Sequence, residues 1–116
     1  MPSGRATRLH KGREFDTVYR EGSVTSGPLF VVRHMPNNVG VSRWGFAVGK
    51  RLARKSADRN RIRRRLRECR RSLAVREGFD VVVTARGRVV EAPFGELRGE
   101  MERVLKRAGL LESGVS

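Results

Sequence analysis

Arginine dominates the chain between residues 59 and 71, where eight of thirteen residues are of this type and Glu68 is the only acid. A guanidinium group stays charged at physiological pH, and its fork of N–H donors fits two oxygens of a phosphate. The chemistry open to these residues is therefore the binding of a polyanion. A run of charges is more often the solvated face of a helix, but such a face alternates its signs at a spacing of four residues, and this stretch does not. The eight positions are Arg59, Arg61, Arg63, Arg64, Arg65, Arg67, Arg70 and Arg71.

The charge of the whole chain points to the same class of partner. The 116 residues include 26 lysines and arginines against 12 acids, which gives a formal net charge of +14. Repulsion within such a chain destabilises its folded state, and a bound polyanion relieves that repulsion. Only four of the cations are lysines. Phosphate recognition explains this preference for arginine, and so does a GC-rich genome. We expect a nucleic acid as the partner.

The residues before the arginine-rich stretch favour a folded RNA over DNA. Lys50, Arg51, Arg54 and Lys55 come first, so a cationic loop and the N-terminus of a helix form one anion-binding edge. A helix-turn-helix protein places another helix shortly before the one that reads the major groove. Strand-like residues stand there instead. Cations on three sides of a helix also suit an RNA whose phosphates converge from several directions.

Residue types that perform catalysis are scattered along the chain. His10 and His34 are the only histidines, and neither has a partner at a catalytic or metal-ligand spacing. Cys69 is the only cysteine, which excludes an internal disulfide. The acids are spread among arginines and lack the grouped carboxylates of a metal-dependent nuclease. We therefore expect no catalytic residue and no metal site in this chain.

Aromatic side chains offer a second means of binding RNA. Phe15 and Tyr19 lie four residues apart, one turn of a predicted helix, and Phe30 is expected on the exposed face of the next strand. They either pack the helix onto a sheet or form a surface on which unpaired bases stack beside a cationic rim. Three further phenylalanines fall at apolar-periodic positions and are expected in the core: Phe46, Phe79 and Phe94.

The surrounding pattern predicts an α+β fold, a single-domain α-β sandwich in which helices pack on one central sheet. In the arginine-rich helix, Ile62, Leu66, Cys69 and Leu73 cluster within about 60° of arc. We expect this helix to dock through that narrow apolar seam, with Arg67 pointing away. A turn at residues 36–38 is expected to join two strands as a hairpin. The predicted elements are a helix at 12–21, strands at 29–35 and 43–49, a helix at 58–75, a strand at 79–85 and a helix with Pro93 at its first position, with room for a short extra strand around Val24.

The two ends of the chain differ from the part between them. Residues 1–8 are expected to form a basic flexible tail, 9–111 a single RNA-binding domain and 112–116 a flexible C-terminus. The longest apolar runs fall far short of the roughly 20 residues that span a bilayer, and the first residues lack the apolar segment of a signal peptide. We expect no membrane partner and a cytoplasmic location.

The order and spacing of the basic residues resemble the signature of the bacterial ribonuclease P protein subunit. Lys50-Arg51 is followed, after seven residues, by Arg59-Asn60-Arg61-Ile62-Arg63-Arg64 and then by Arg67. The frame around this motif agrees, and the resemblance covers about residues 8–111. It implies an α-β sandwich with an unusual left-handed β-α-β crossover that places the arginine helix beside the sheet, against the general preference for right-handed crossovers. The agreeing frame consists of Arg8-Leu9, Phe15, Tyr19, Gly22, 30–32, 45–48 and 79–83.

The resemblance also implies a function, the removal of the 5′ leader from precursor tRNA by an RNA subunit and the Mg²⁺ that it binds. The protein then carries no cofactor and offers two surfaces, one for the catalytic RNA and a cleft between the first helix and the sheet for the unpaired leader. The expected catalytic-RNA-binding residues are Arg54, Arg59, Asn60, Arg61, Arg63, Arg64 and Arg67. The expected leader-binding residues are Phe15, Tyr19, Phe30, Arg33, Lys50 and Arg51.

Two positions depart from the pattern of that family. Arg33 stands where many members carry an aromatic residue, so a phosphate contact or a cation–π contact is expected to replace stacking. Arg65 stands where leucine is usual, about 60° from the seam, and is expected to cover apolar surface with its stem while its head stays in water. A structural ribosomal-RNA-binding protein is the alternative function, because composition does not separate two small basic α+β proteins. A protein-only endonuclease is disfavoured by the missing carboxylate cluster.

Overall fold

The computed structural model describes residues 8–9 and 12–112, and in this part of the chain three α-helices lie against one four-stranded sheet. The α+β fold that the sequence predicts is confirmed. The short extra strand around Val24 is present. The elements are α1 (Arg13–Glu21), β1 (Ser23–Ser26), β2 (Phe30–Pro36), β3 (Arg43–Ala47), α2 (Ser56–Arg71), β4 (Phe79–Ala85), a 3₁₀ turn (Gly87–Val90) and α3 (Phe94–Ala108).

The strands follow the order β1-β2-β4-β3 across the sheet. β2 pairs antiparallel with both β1 and β4, whereas β3 pairs parallel with β4. The predicted hairpin between β2 and β3 is therefore wrong, because β4 lies between them. Val81-Val82-Val83 makes β4 apolar on both faces, and such a strand belongs in the interior of a sheet. The β3–α2–β4 unit is the crossover that the resemblance implies, and its left hand stays an expectation.

The two faces of the sheet carry different helices. Side chains alternate along each strand, so Val81 and Val83 face the main core with α2 and α3, while Val82 faces a smaller core beneath α1. Phe46 is buried in the main core and Phe79 packs partly buried against it. Phe94 is 43% exposed, so its expected place in the core is wrong. It is the first residue of α3, and the stripe that docks this helix begins at Leu97.

The helices begin and end close to the predicted residues. In α2, Ile62, Leu66 and Cys69 are buried as the seam requires, and burial raises the pKa of the Cys69 thiol. The helix ends at Arg71 rather than 75, so Leu73 packs against the core from beyond its end. α3 has Pro93 as its N-cap rather than its first helical residue, and Gly109 closes it with a left-handed φ of 77°, a common helix ending.

Both ends of the described chain are tied to the fold by backbone bonds. Arg8 forms a β-bridge with Trp44, and the Leu9 N–H donates to the Trp44 carbonyl at 3.1 Å. Glu112 donates to the Ala74 carbonyl at 2.9 Å. Arg8 and Glu112, which the sequence assigned to the tails, thus belong to the folded unit. The rest of the expected tails lies outside the described residues. Among the described helices, none is long and apolar enough to cross a membrane.

Candidate nucleic-acid interface

The arginines of α2 have almost no acidic partners. In the described part of the chain, only Arg61 has a carboxylate within 4.0 Å, that of Asp58 at 3.6 Å, and both side chains are well exposed. An exposed pair of this kind contributes little. The remaining positive charge on α2 is therefore not neutralised within the protein, and this is the electrostatic footprint of a surface that binds phosphates.

A basic depression lies between α2 and the first described residues. Seven residues line it, and all but two of them are arginines. Arg64 and Arg71 are exposed, while Arg63 is half-buried and donates to the side-chain oxygen of Asn60 at 2.5 Å. The sequence analysis assigned Arg8 to a flexible tail and so did not predict its place here. The apolar residue that follows it, Leu9, was a signal that this segment could pair with a strand. The lining residues are Arg8, Asn60, Arg63, Arg64, Arg67, Glu68 and Arg71.

Two arginines of α2 lie over aromatic rings of β3. The guanidinium carbon of Arg67 is 5.3 Å from the centre of the Phe46 ring, and that of Arg70 is 5.3 Å from the Trp44 ring. Arg67 therefore does not point away as expected, because the Phe46 ring provides a cation–π contact. Burial lowers the pKa of both arginines, and the positive charges of Arg8 and its neighbours lower that of Arg67 further. An anion bound here relieves this repulsion.

Two other arginines of α2 stabilise the fold locally. Arg59 donates through Nη1 to the carbonyls of Ala53 at 3.0 Å and Arg54 at 2.7 Å, so it holds the loop that precedes α2. Arg65 donates through Nη2 to the Ala92 carbonyl at 2.6 Å. The expectation that the head of Arg65 stays in water is wrong, because a backbone carbonyl lies within its reach.

The loop between β3 and α2 carries the remaining predicted cations. Lys50 and Arg51 lie on the turn that follows β3, and Arg54 lies further along the loop; all three side chains are exposed. A small hollow near the end of β3 lies between α1 and α2. Its lining combines apolar residues with one cation of α2: Gly12, Phe15, Phe46, Ala47, Val48 and Arg63.

α1 and the sheet form the walls of the predicted leader cleft. Phe15 is half-buried over Gly45, where a Cβ atom would lie 2.3 Å from the ring, so only glycine leaves room for this close contact. The ring centres of Phe15 and Tyr19 are 6.5 Å apart. Tyr19 is 41% exposed, and its hydroxyl forms a hydrogen bond with that of Thr84 at 3.1 Å. Arg33 lies over the Tyr19 ring at 4.9 Å, a cation–π contact made within the protein.

Phe30 does not reach this cleft. It is 0% exposed and belongs to the main core on the opposite face of the sheet. Its expected exposure is wrong, because side chains alternate along a strand and Phe30 and Arg33 are three residues apart. Only one of them can face α1, and Arg33 does so.

A charged network beneath α1 was not predicted. Arg43 donates through Nε and Nη2 to both oxygens of Asp80, at 2.8 and 2.7 Å, and through Nη1 to Glu14 at 3.1 Å. These carboxylates raise the pKa of Arg43. The sequence did contain a signal for it: Arg43 is the first residue of the apolar strand β3, and Asp80 is the second residue of the apolar strand β4. Glu14 and Asp80 are therefore engaged in structural contacts with Arg43.

The described residues contain no group of three or more His, Cys, Asp and Glu side chains that could hold a metal ion. The other buried acid, Glu100, lies at 2.9 Å from Arg103 on the same helix. The site is thus made of guanidinium groups and aromatic rings, which can hold phosphates and unpaired bases.

Comparison with known proteins agrees with this chemistry. The family model for ribonuclease P matches residues 4–109. The chain belongs to the ribonuclease P family. It is 41% identical over 108 residues to the ribonuclease P protein component of Caldanaerobacter subterraneus subsp. tengcongensis, and the alignment covers 91% of this chain and 92% of the relative. It is 40% identical over 111 residues to the ribonuclease P protein component of Symbiobacterium thermophilum, and that alignment covers 93% of this chain and 96% of the relative.

Solved structures of ribonuclease P proteins share the fold. The Staphylococcus aureus protein matches with a TM-score of 0.81 and 28% identity, covering 92% of this chain and 99% of that one. The Thermotoga maritima protein matches with a TM-score of 0.78 and 31% identity, covering 86% and 96%. The resemblance that rested on residues 50–67 and their frame is confirmed, and nothing among these relatives favours a ribosomal-RNA-binding protein.

Proposed function

We propose that this chain, a ribonuclease P protein subunit, binds the catalytic RNA through α2 and its preceding loop, and that the RNA performs the cleavage of precursor tRNA. The single observation that carries the proposal is the arginine surface of α2, on which only Arg61 is paired with an acid in the described part of the chain. Phosphates supply the missing negative charge, and the depression around Arg64 and Arg67 suits a folded RNA whose backbone projects into it.

We further propose that the cleft beneath α1 takes the unpaired 5′ leader. Phe15 and Tyr19 supply faces for stacking, and Arg33 supplies a cation beside them. Lys50 and Arg51 lie on the exposed turn after β3, where they extend the positive rim toward the catalytic RNA. Stacking tolerates any base and guanidinium groups follow the backbone, so this cleft suits leaders of unrelated sequence.

The ion pairs of three acids support an RNA-centred mechanism. Asp80 and Glu14 are held by Arg43, and Glu100 is held by Arg103. These three acids are engaged in ion pairs within the protein and are not grouped at one site. In the proposal the Mg²⁺ ions are bound by the RNA, and the protein neutralises phosphates and holds the leader in the cytoplasm of the cell.

Cleavage of precursor tRNA with and without the RNA subunit tests the proposal. At low Mg²⁺ and near-physiological salt, the protein should raise the rate of 5′-leader removal by the RNA, and the protein alone should not cleave. Cleavage at the mature 5′ end by the protein alone would overturn the assignment of chemistry to the RNA. If the protein fails to stimulate the RNA but binds ribosomal RNA tightly, the alternative function is correct.

A further inference from the structure

Arg43 connects the first turn of α1 to the centre of the sheet. It grips Asp80 through two hydrogen bonds of 2.7 and 2.8 Å, and its third contact reaches Glu14 at 3.1 Å. Asn37 donates to the same Asp80 carboxylate at 2.9 Å. The Asp80 side chain is 11% exposed, while those of Arg43 and Glu14 are 25% and 28% exposed. Two charge-assisted bonds thus fix the guanidinium plane, and the plane fixes Glu14.

The first turn of α1 depends on side-chain contacts with the rest of the protein. α1 has only nine residues, its N-cap is Gly12, and no side chain caps it. A helix this short is marginal by itself and depends on its tertiary contacts. Its later part is held by the buried Val18 and by the bond from Tyr19 to Thr84. Besides the packing of Phe15 against the small core that contains Val82, the described contacts of its first turn with the sheet include two: the ion pair of Glu14 and the ring of Phe15 on Gly45.

These two contacts lie side by side. Glu14 precedes Phe15 on α1, and Arg43 stands two residues before Gly45 on the same face of β3. Residues two apart on a strand are separated by about 7 Å, so the ion pair and the ring contact join the same two elements over one short span. The ion pair therefore restrains the part of α1 from which the Phe15 ring reaches the sheet.

We propose that Glu14 and Arg43 are positioning residues for leader binding, which hold Phe15 at the depth at which a leader base stacks on it. This inference rests on the proposed function of the cleft. Neither residue has to touch the RNA. The carboxylate of Glu14 by itself repels phosphates, so electrostatics alone predicts that removing its charge strengthens leader binding. A positioning role predicts that removing it weakens leader binding.

The variant Glu14→Gln tests the inference in the complete ribonuclease P complex. The amide keeps the size of the side chain and loses the charge-assisted bond, so affinity for leader-bearing precursor should fall by about 3- to 10-fold. Affinity for mature tRNA and for the catalytic RNA should stay the same or rise slightly. Glu21→Gln is the matched control, because it removes the same charge from the same helix, where Glu21 has, among the described residues, only an exposed ion pair with Arg20 at 3.7 Å. It should leave leader affinity unchanged or slightly higher. A rise in leader affinity for both variants would overturn the inference.

A double-mutant cycle with Phe15→Ala separates this inference from the proposed function. If Glu14 acts through Phe15, then Glu14→Gln has no further effect on leader affinity once Phe15 is alanine. Equal effects in both backgrounds would show that Glu14 acts independently and would overturn the inference. If Phe15→Ala does not change leader affinity, the proposed cleft itself is wrong. If Phe15→Ala lowers it and Glu14→Gln does not, the inference alone fails.

Amide hydrogen exchange of the protein gives a second readout. The Asp16 N–H donates to the Gly12 carbonyl at 2.8 Å in the first turn, and the Gly22 N–H donates to Val18 at 2.9 Å at the other end. Glu14→Gln should speed exchange at Asp16 and leave Gly22 unchanged. Unchanged protection at Asp16 would contradict a role in holding the first turn.

Discussion

Replacing Phe15 by alanine should weaken the binding of leader-bearing precursor tRNA and spare mature tRNA. The ring is half-buried over Gly45 and lies 6.5 Å from the Tyr19 ring. A base stacked on an aromatic side chain contributes about 1–3 kcal/mol, so the dissociation constant for precursor should rise about 5- to 150-fold at 25 °C. Removing the half-buried ring should also lower the free energy of unfolding by about 2 kcal/mol, so binding is measured well below the melting temperature.

The assay compares precursor and mature tRNA binding to the complex assembled with saturating protein. Phe94→Ala is the control, because it removes the same ring from an exposed position at the start of α3, away from the cleft. It should change neither affinity. An equal loss for precursor and mature tRNA with Phe15→Ala would refute the assignment of the cleft to the leader.

Three further predictions concern packing and protonation. Gly45→Ala places a Cβ 2.3 Å from the Phe15 ring, so it should lower the free energy of unfolding by about 1–3 kcal/mol and weaken leader binding; an unchanged melting temperature would contradict the packing. Burial lowers the pKa of His34, so the unfolded chain takes up a proton first and stability should fall as pH drops below about 6.5; in urea titrations His34→Gln should lessen this fall, and an identical pH profile for both proteins would disprove the linkage. Cys69 is fully buried and burial raises the pKa of its thiol, so alkylation should require unfolding by denaturant; rapid labelling of the native protein would contradict that burial.

Local patterns in the sequence carry much of this structure. The apolar seam of Ile62, Leu66 and Cys69 follows from helical periodicity and is buried as predicted. The run at 81–83 marks a strand with two covered faces, and it lies inside the sheet. The motif that begins at Lys50 identified the family, because the spacing of its basic residues is specific. These features depend on neighbours within a few residues.

Features that depend on distant residues were not predictable in the same way. The pairing of β4 between β2 and β3 joins strands that are far apart in the chain, and no local pattern encodes that order. Arg8 reaches the arginine surface only because its backbone pairs with β3. The burial of Phe30 is different. Side chains alternate along a strand, so Phe30 and Arg33 cannot lie on the same face. The burial of Phe30 was therefore predictable from the sequence alone.

The salt dependence of protein binding to the catalytic RNA tests the central claim most directly. Five arginines line the basic depression, namely Arg8, Arg63, Arg64, Arg67 and Arg71. If each neutralises one phosphate, the logarithm of the binding constant should fall with the logarithm of salt concentration at a slope of about −3.5 to −4.5. Arg64→Ala should reduce the slope by about one, and Lys106→Ala, which removes an exposed cation of α3, should leave it unchanged. A nearly flat slope, or an equal change for both variants, would contradict the claim that the arginine surface of α2 binds RNA phosphates.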